Sequence, residues 1–284
     1  MCFDEDCETK GVDRRSFLVG GLTALVGFAA LAAEGAAQEE KPPTTRVLDD
    51  PTVRHGKVTF RSGDKEIDGY LAQPKAAGKY PAVLVIAGNR ITEEYIPNTC
   101  AALAVAGYIG LAPNIFHPVP DSAVTPDEIV KALAGRTDDD FLRDIRAGAD
   151  FLAGHEAVKT GGMGIIGFCS GGRRALLYAD RFDDVKAVIP YHPSRTKPEE
   201  IARLKAPVQV HSGTADRHIP VTEIRELEDA LRRQGTSVQV YLYEGADHGF
   251  LAYTRPYYQP DAAQSAWKRT VEFLDTVLNR QSPR

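Results

Sequence analysis

The alternation of apolar and polar side chains divides the chain into short strand-like runs separated by longer helical ones. Residues 57–61 and 67–72 alternate polar with apolar around Ser62-Gly63-Asp64, which predicts an antiparallel hairpin at a sheet edge. Residues 81–87 are continuously apolar and 108–113 nearly so, as strands covered on both faces must be. Residues 185–190, 207–211 and 238–243 complete the set of strand candidates downstream of another apolar run ending near residue 168. Helical patterns occupy 94–106, 138–152, 199–204, 221–234 and 261–279. Strands alternating with helices predict the α/β class: a mostly parallel central sheet with helices on both faces and the N-terminal hairpin at its edge.

One of these strands ends abnormally, at Gly164-Ile165-Ile166-Gly167-Phe168-Cys169-Ser170-Gly171-Gly172. The apolar run stops at a glycine, presents a cysteine and restarts on two more glycines. Gly167, Cys169 and Gly171 occupy the three defining positions of the G-x-nucleophile-x-G elbow, a strand-to-helix turn typical of the α/β-hydrolase fold. Glycines are needed because a Cβ two residues either side of the nucleophile would clash with the neighbouring strand and helix. A helix over 173–181 points its amino end at the sulfur, which favours thiolate, and leaves the Ser170 N–H as one oxyanion donor. The competing reading makes Cys169 a small buried apolar residue, but such a residue needs no glycines at both −2 and +2.

In a parallel sheet ligands bind beyond the carboxyl ends of the strands, which tests any proposed partner for Cys169. Asp216 follows the strand ending at His211, and His248 follows the strand ending at Tyr243. The chain order Cys169, Asp216, His248 is the nucleophile, acid, histidine order of α/β-hydrolases. In that arrangement His248 accepts the thiol proton and later activates water, while Asp216 fixes the imidazole tautomer and stabilises its charged form. Asp247 adjoins His248 and points elsewhere, His218 lies two residues beyond Asp216, and His211 belongs to a buried strand. His211, Asp216 and His218 form no metal motif, and no cofactor is expected.

The chain has 284 residues, 43% hydrophobic and 26% charged, enough for one large core. A formal charge of −5 without a basic run in the body argues against nucleic acid as a partner. Cys2, Cys7, Cys100 and Cys169 are too few and scattered for a disulfide framework, and Cys100 sits in an apolar helical pattern that reads as core.

The amino end changes the picture. Asp13-Arg14-Arg15-Ser16-Phe17-Leu18 precedes an uncharged stretch over 17–33, the pattern of a bacterial twin-arginine export signal. Ala30-Leu31-Ala32 and Gly35-Ala36-Ala37 are both candidate cleavage sites; an uncleaved anchor is the competing reading. The expected organisation is a signal over 1–37, a linker over 38–54 and one α/β-hydrolase domain over 55–284. The product is then an exported, periplasmic or extracellular monomer, engaging the export machinery and touching membrane only through the signal.

With elbow, acid and histidine placed, the sequence resembles the dienelactone hydrolase family of cysteine-dependent α/β-hydrolases over roughly 58–278. The resemblance rests on Gly167-Phe168-Cys169-Ser170-Gly171-Gly172, Gly213-Thr214-Ala215-Asp216, Tyr243-Glu244-Gly245-Ala246-Asp247-His248-Gly249-Phe250, Ala106-Gly107-Tyr108 and Lys205-Ala206-Pro207. It implies hydrolysis of an activated cyclic ester, 4-carboxymethylenebut-2-en-4-olide, to maleylacetate, with other esters or thioesters as the alternative substrate class. Family members carry a glutamate in the loop after the first buried parallel strand. Here that loop is Ala87-Gly88-Asn89-Arg90-Ile91, with no acid before Glu93 and Glu94, so that either the thiol depends on His248 alone or the activity has drifted. The same loop is expected to supply the second oxyanion N–H, from Asn89, or from Arg90 if the alignment slips by one. The family arginine four residues after the histidine is replaced by Ala252, so Arg90 and Arg255 are the candidates for holding a substrate carboxylate.

Overall fold

The computed structural model describes residues 45–88, 93–117, 119, 128, 131 and 133–279. The expected signal segment, residues 38–44 of the expected linker, and Asn89 and Arg90 lie outside them. The described residues form an eight-stranded sheet in the order β1-β2-β4-β3-β5-β6-β7-β8. Its strands are β1 (Val53–Ser62), β2 (Lys65–Pro74), β3 (Ala82–Ile86), β4 (Ile109–Pro113), β5 (Met163–Phe168), β6 (Val185–Tyr191), β7 (Val208–Gly213) and β8 (Val238–Tyr243). The β1–β2 and β2–β4 pairings are antiparallel and every other pairing is parallel. Burial follows the hydrophobic pattern. Every residue of β3, β4 and β5 is buried, whereas β1, at the edge, keeps an exposed face.

The helices are α1 (Tyr95–Val105), α2 (Asp138–Ala153), α3 (Ser170–Arg181), α4 (Val221–Arg233) and α5 (Pro260–Leu274). Thr137 and Asp140 form a reciprocal capping box that sets the start of α2. The helix expected over 199–204 is instead a single 3-10 turn, Pro198–Ile201. A segment this short does not sustain an α-helix alone. The carbonyls of Ile201 and Leu204 find other partners: Gln234 Nε2 donates to both, and Thr236 Oγ1 donates to Leu204 O at 2.6 Å. The last helix stops at Leu274, and residues to Asn279 continue as a wider π turn.

The linker also ends earlier than expected. Val47 is buried, its amide donates to Asn98 Oδ1 at 2.7 Å, and Asn98 Nδ2 returns a bond to Thr45 O. Val53 and Arg54 already belong to β1, so the last part of the charged stretch packs on the domain.

Beneath the hairpin, Asp144 of α2 is a buried carboxylate shared by Ser62 Oγ at 2.5 Å, His117 Nε2 at 2.9 Å and the Arg136 guanidinium. Three polar partners satisfy its lone pairs and tie the hairpin to α2, which offsets the cost of burying it.

The pairing registers decide where the loops emerge. Ile86 lies opposite Gly167, Phe168 opposite Tyr191, Tyr191 opposite His211, and Gly213 opposite Tyr243. Five parallel strands therefore end side by side. The loops bearing Gly88, Cys169, His192, Asp216 and His248 leave one edge of the sheet, in that lateral order.

Candidate active site

Cys169 sits between the end of β5 and the start of α3 with φ 51 and ψ −118, left-handed backbone for a residue with a side chain. Such a conformation costs on the order of 1–3 kcal/mol and persists only when its surroundings enforce it. Here they do. The Cys169 amide donates to Tyr191 O at 3.0 Å, and its carbonyl accepts from the amides of Gly172, Arg173 and Ser194. The flanking glycines are required by close approach: a Cβ on Gly167 would strike the Gly171 carbonyl, and one on Gly171 would strike the carbonyls of Ile86 and Ala87. The helix begins at Ser170, immediately after the cysteine rather than at residue 173.

Ser170 is thus the first residue of α3, and its N–H belongs to the first turn, which has no acceptor within the helix. Its hydroxyl donates to Gly88 O at 2.6 Å and accepts from Arg174 Nη1 at 2.7 Å, tying the loop after β3 to the elbow.

His248 lies in the loop after β8, and its Nδ1 is 2.9 Å from Asp216 Oδ2. The other carboxylate oxygen, Oδ1, accepts the amides of His218 and Ile219, each at 2.8 Å. Burial raises the Asp216 pKa, but the bond to His248 and the two amides more than offset it, so the group is held below its ordinary range. With Nδ1 engaged, the far nitrogen of His248 is left for the sulfur. Burial lowers the His248 pKa, yet the bonds to Asp216 and Cys169 raise it to about 9.

The sulfur has more partners than the sequence suggested. Burial pushes the Cys169 thiol up, but hydrogen bonding from His192, His248 and Ser194, with the charge on His248, draws it down to about 5. Ser194 Oγ lies 3.6 Å from Sγ. The thiol is shifted down and the imidazole up, each in part by the other, which favours a thiolate–imidazolium pair. His248 is therefore not the thiol's sole partner: His192, the first residue after β6, stands beside it with its ring centroid 4.2 Å from that of His248. A histidine directly after a buried strand was the available signal, but only the lateral order of strands shows that β6 lies between the elbow and the acid.

These residues floor a cavity of about 300 Å³ whose walls include Tyr95, Phe168, Leu251, Ala252 and Tyr257. Arg255 reaches it, but its Nη2 is paired with Glu93 Oε2 at 2.6 Å. The wall thus holds a cation and an anion that neutralise one another. Asn89 and Arg90 lie outside the described residues. Of the competitors, Asp247 accepts the His248 amide at 2.7 Å, and His211 is wholly buried within β7. Among the described residues no group of three or more His, Cys, Asp or Glu is placed to hold a metal ion.

The dienelactone hydrolase family model matches residues 67–278, from the second strand to the final turn. The chain belongs to the dienelactone hydrolase family. Over its length it is 32% identical to a Methylorubrum extorquens protein named "Putative carboxymethylenebutenolidase", with 96% of this chain and 97% of that one covered. It is also 32% identical to a Bradyrhizobium protein named "Probable 2-oxo-3-(5-oxofuran-2-ylidene)propanoate lactonase", over 72% of this chain and 87% of the other. A crystal structure from Klebsiella pneumoniae, called a "Putative Dienelactone Hydrolase", superposes with a TM-score of 0.72 at 28% identity, covering 78% of this chain and 98% of that one. This dienelactone hydrolase family member is accordingly a carboxylic ester hydrolase with an α/β-hydrolase fold.

Proposed function

We propose that the protein opens activated lactones or esters through a Cys169 thiolate and a thioester acyl-enzyme, with His248 as acid and base and Asp216 as its orienting carboxylate. The observation that carries this reading is a cysteine in enforced left-handed backbone, its thiol drawn down to about 5, at the floor of a cavity beside an imidazole already held by a buried carboxylate. The sulfur lone pair forms a bond to the carbonyl carbon, and the negative charge on oxygen is met by the Ser170 N–H and by a second N–H from the loop at Asn89. As the tetrahedral intermediate collapses, the C–O bond breaks and the leaving oxygen takes the His248 proton. The now neutral His248 removes a proton from water, whose oxygen attacks the thioester; the C–S bond then breaks, returning its electron pair to Cys169 and releasing the acid.

Leaving-group chemistry selects the substrate class. An enol lactone expels an enolate, a far weaker base than an alkoxide, so a thiolate can turn it over. The Bradyrhizobium relative's name, a lactonase acting on a ylidene furanone, is of this chemical type. The neutralised Glu93–Arg255 pair and Ala252 support a second reading, a carboxylesterase or thioesterase for substrates without a carboxylate.

Export through the twin-arginine route, from Arg14-Arg15, to the periplasm or the extracellular space, and a monomeric state complete the proposal. Turnover of a carboxylate-bearing enol lactone, a neutral aryl ester and an acyl thioester by the wild-type protein and Cys169→Ala tests it. Full activity in Cys169→Ala rejects the cysteine mechanism, and the ratio of the three rates chooses the substrate class.

A further inference from the structure

We infer that His192 is a second imidazole acting on the nucleophile, a neutral hydrogen-bond donor that holds the Cys169 sulfur as thiolate without taking its proton. The inference rests on the reading of Cys169 as nucleophile and adds a residue that neither the family match nor the sequence motifs assign.

Topology puts the residue there. Because β6 lies between β5 and β7, the first residue beyond it emerges between the sulfur and the acid. The His192 amide donates to His211 O at 2.7 Å, and the Ser194 amide donates to Cys169 O, so the turn is locked to β7 at one end and to the elbow at the other.

The residue is kept at two structural costs. Its φ is 35, one of two such values among the described non-glycine residues, the other being that of Cys169. It is 4% exposed, and its Nδ1 is buried without a hydrogen-bond partner. A histidine retained for stability has its ring satisfied, as His211 shows: that ring has Tyr243 Oη 2.8 Å from Nδ1 and Gln209 Oε1 3.0 Å from Nε2. The His192 ring instead lines the cavity floor beside Cys169, with its centroid 4.2 Å from that of His248.

The surroundings determine its charge. The titratable groups facing it are Cys169 from the elbow, His248 from the loop after β8 and Asp216 from the loop after β7. Asp216 is occupied by His248 and two amides, leaving His192 no carboxylate of its own. Burial, opposed by the sulfur and assisted by the charge on His248, lowers its pKa and leaves it neutral at pH 7. A neutral imidazole that bonds a thiolate presents N–H to it and keeps a lone pair on the other nitrogen.

The two histidines then divide the work. His248 exchanges the proton, while His192 stabilises charge. In deacylation a water proton passes to His248, the oxygen bonds to the acyl carbon, and the C–S electron pair returns to sulfur, where the His192 N–H receives the developing charge. Its loss makes the sulfur a poorer leaving group in deacylation.

The pH dependence of iodoacetamide alkylation of Cys169 in the full chain, for wild type and His192→Phe, reads this directly. The midpoint is expected to rise by at least about one pH unit in His192→Phe, which lowers alkylation about tenfold below the midpoint. His192→Gln, which keeps an N–H donor, is expected to recover part of that shift. An unchanged midpoint in folded His192→Phe overturns the assignment. Should His192→Phe not fold, the ring nitrogens of His192 in the unmodified protein decide by NMR. One protonated nitrogen between about pH 6 and 8, with signals that move when the thiol is alkylated, supports the role; two protonated nitrogens, or signals indifferent to alkylation, overturn it. Activity retained by Cys169→Ala would reject the nucleophile itself, a result separable from any His192 outcome.

Discussion

Asp216 offers His248 only one of its two carboxylate oxygens. Oδ2 stands 2.9 Å from the imidazole Nδ1, while Oδ1 is committed to the amides of His218 and Ile219. The amides fix the carboxylate plane, and the carboxylate fixes the ring. In Asp216→Asn the amides keep the side-chain oxygen, so the new NH₂ faces Nδ1 and favours the opposite tautomer. The ring nitrogen nearer the sulfur then carries the proton in the neutral form and cannot accept one. Steady-state kinetics on an aryl ester should show kcat/KM lower by about a thousandfold or more, with thermal stability little changed.

The proposed mechanism predicts a pH profile with two limbs. The thiol is lowered to about 5 and the imidazole raised to about 9, so the active pair is lost by protonating sulfur on the acid side and by deprotonating His248 on the alkaline side. Iodoacetamide alkylation should rise through about pH 5 in wild type, far below an ordinary thiol at about 8.5. Ester hydrolysis should fall again near about pH 9. An alkylation midpoint above about pH 8 would contradict the ion pair.

The elbow glycines should resist even a methyl group. Gly167→Ala and Gly171→Ala each press a Cβ into backbone carbonyls, which cannot move as a flexible side chain would. Chemical denaturation should show each variant destabilised by about 3 kcal/mol, the upper range for overpacking, with activity lost first in Gly171→Ala because it displaces the start of α3.

The Glu93–Arg255 pair sets the charge of the cavity wall. Glu93→Gln releases the guanidinium to bind anions, so KM for a carboxylate-bearing lactone should fall by about threefold to tenfold, while a neutral ester changes little. Arg255→Ala leaves Glu93 unpaired and should move KM for the anionic substrate the other way. Equal responses of both substrates would remove the pair from any role in selectivity.

Away from the site, Asp144 holds Ser62, His117 and Arg136 together under the hairpin. Asp144→Ala strands a guanidinium without its carboxylate. A loss of about 3–5 kcal/mol in unfolding free energy is expected, with kcat/KM preserved at temperatures where the variant is folded.

What the amino-acid sequence determined by itself was everything local. Uninterrupted apolar runs marked the covered strands β3 and β4, alternation marked the edge hairpin, and the glycine spacing around Cys169 marked the elbow. These are legible because burial of a strand or helix face writes a period into neighbouring residues. Asp216 and His248 were singled out by their place after strands, a rule of parallel sheets that needs no coordinates. Residues 199–204 read as a helix but form only the short turn Pro198–Ile201, because the carbonyls of Ile201 and Leu204 are claimed by Gln234 and Thr236, side chains from a distant part of the chain. Only the tertiary structure decided which strands lie side by side. Lateral order leaves no period in the chain, since pairing partners are separated by whole helices, and it is lateral order that puts β6 next to the elbow. His192 at the sulfur, Ser194 beside it and Glu93 across from Arg255 all follow from contacts between distant segments, set by where the backbone ends meet rather than by what precedes or follows each residue.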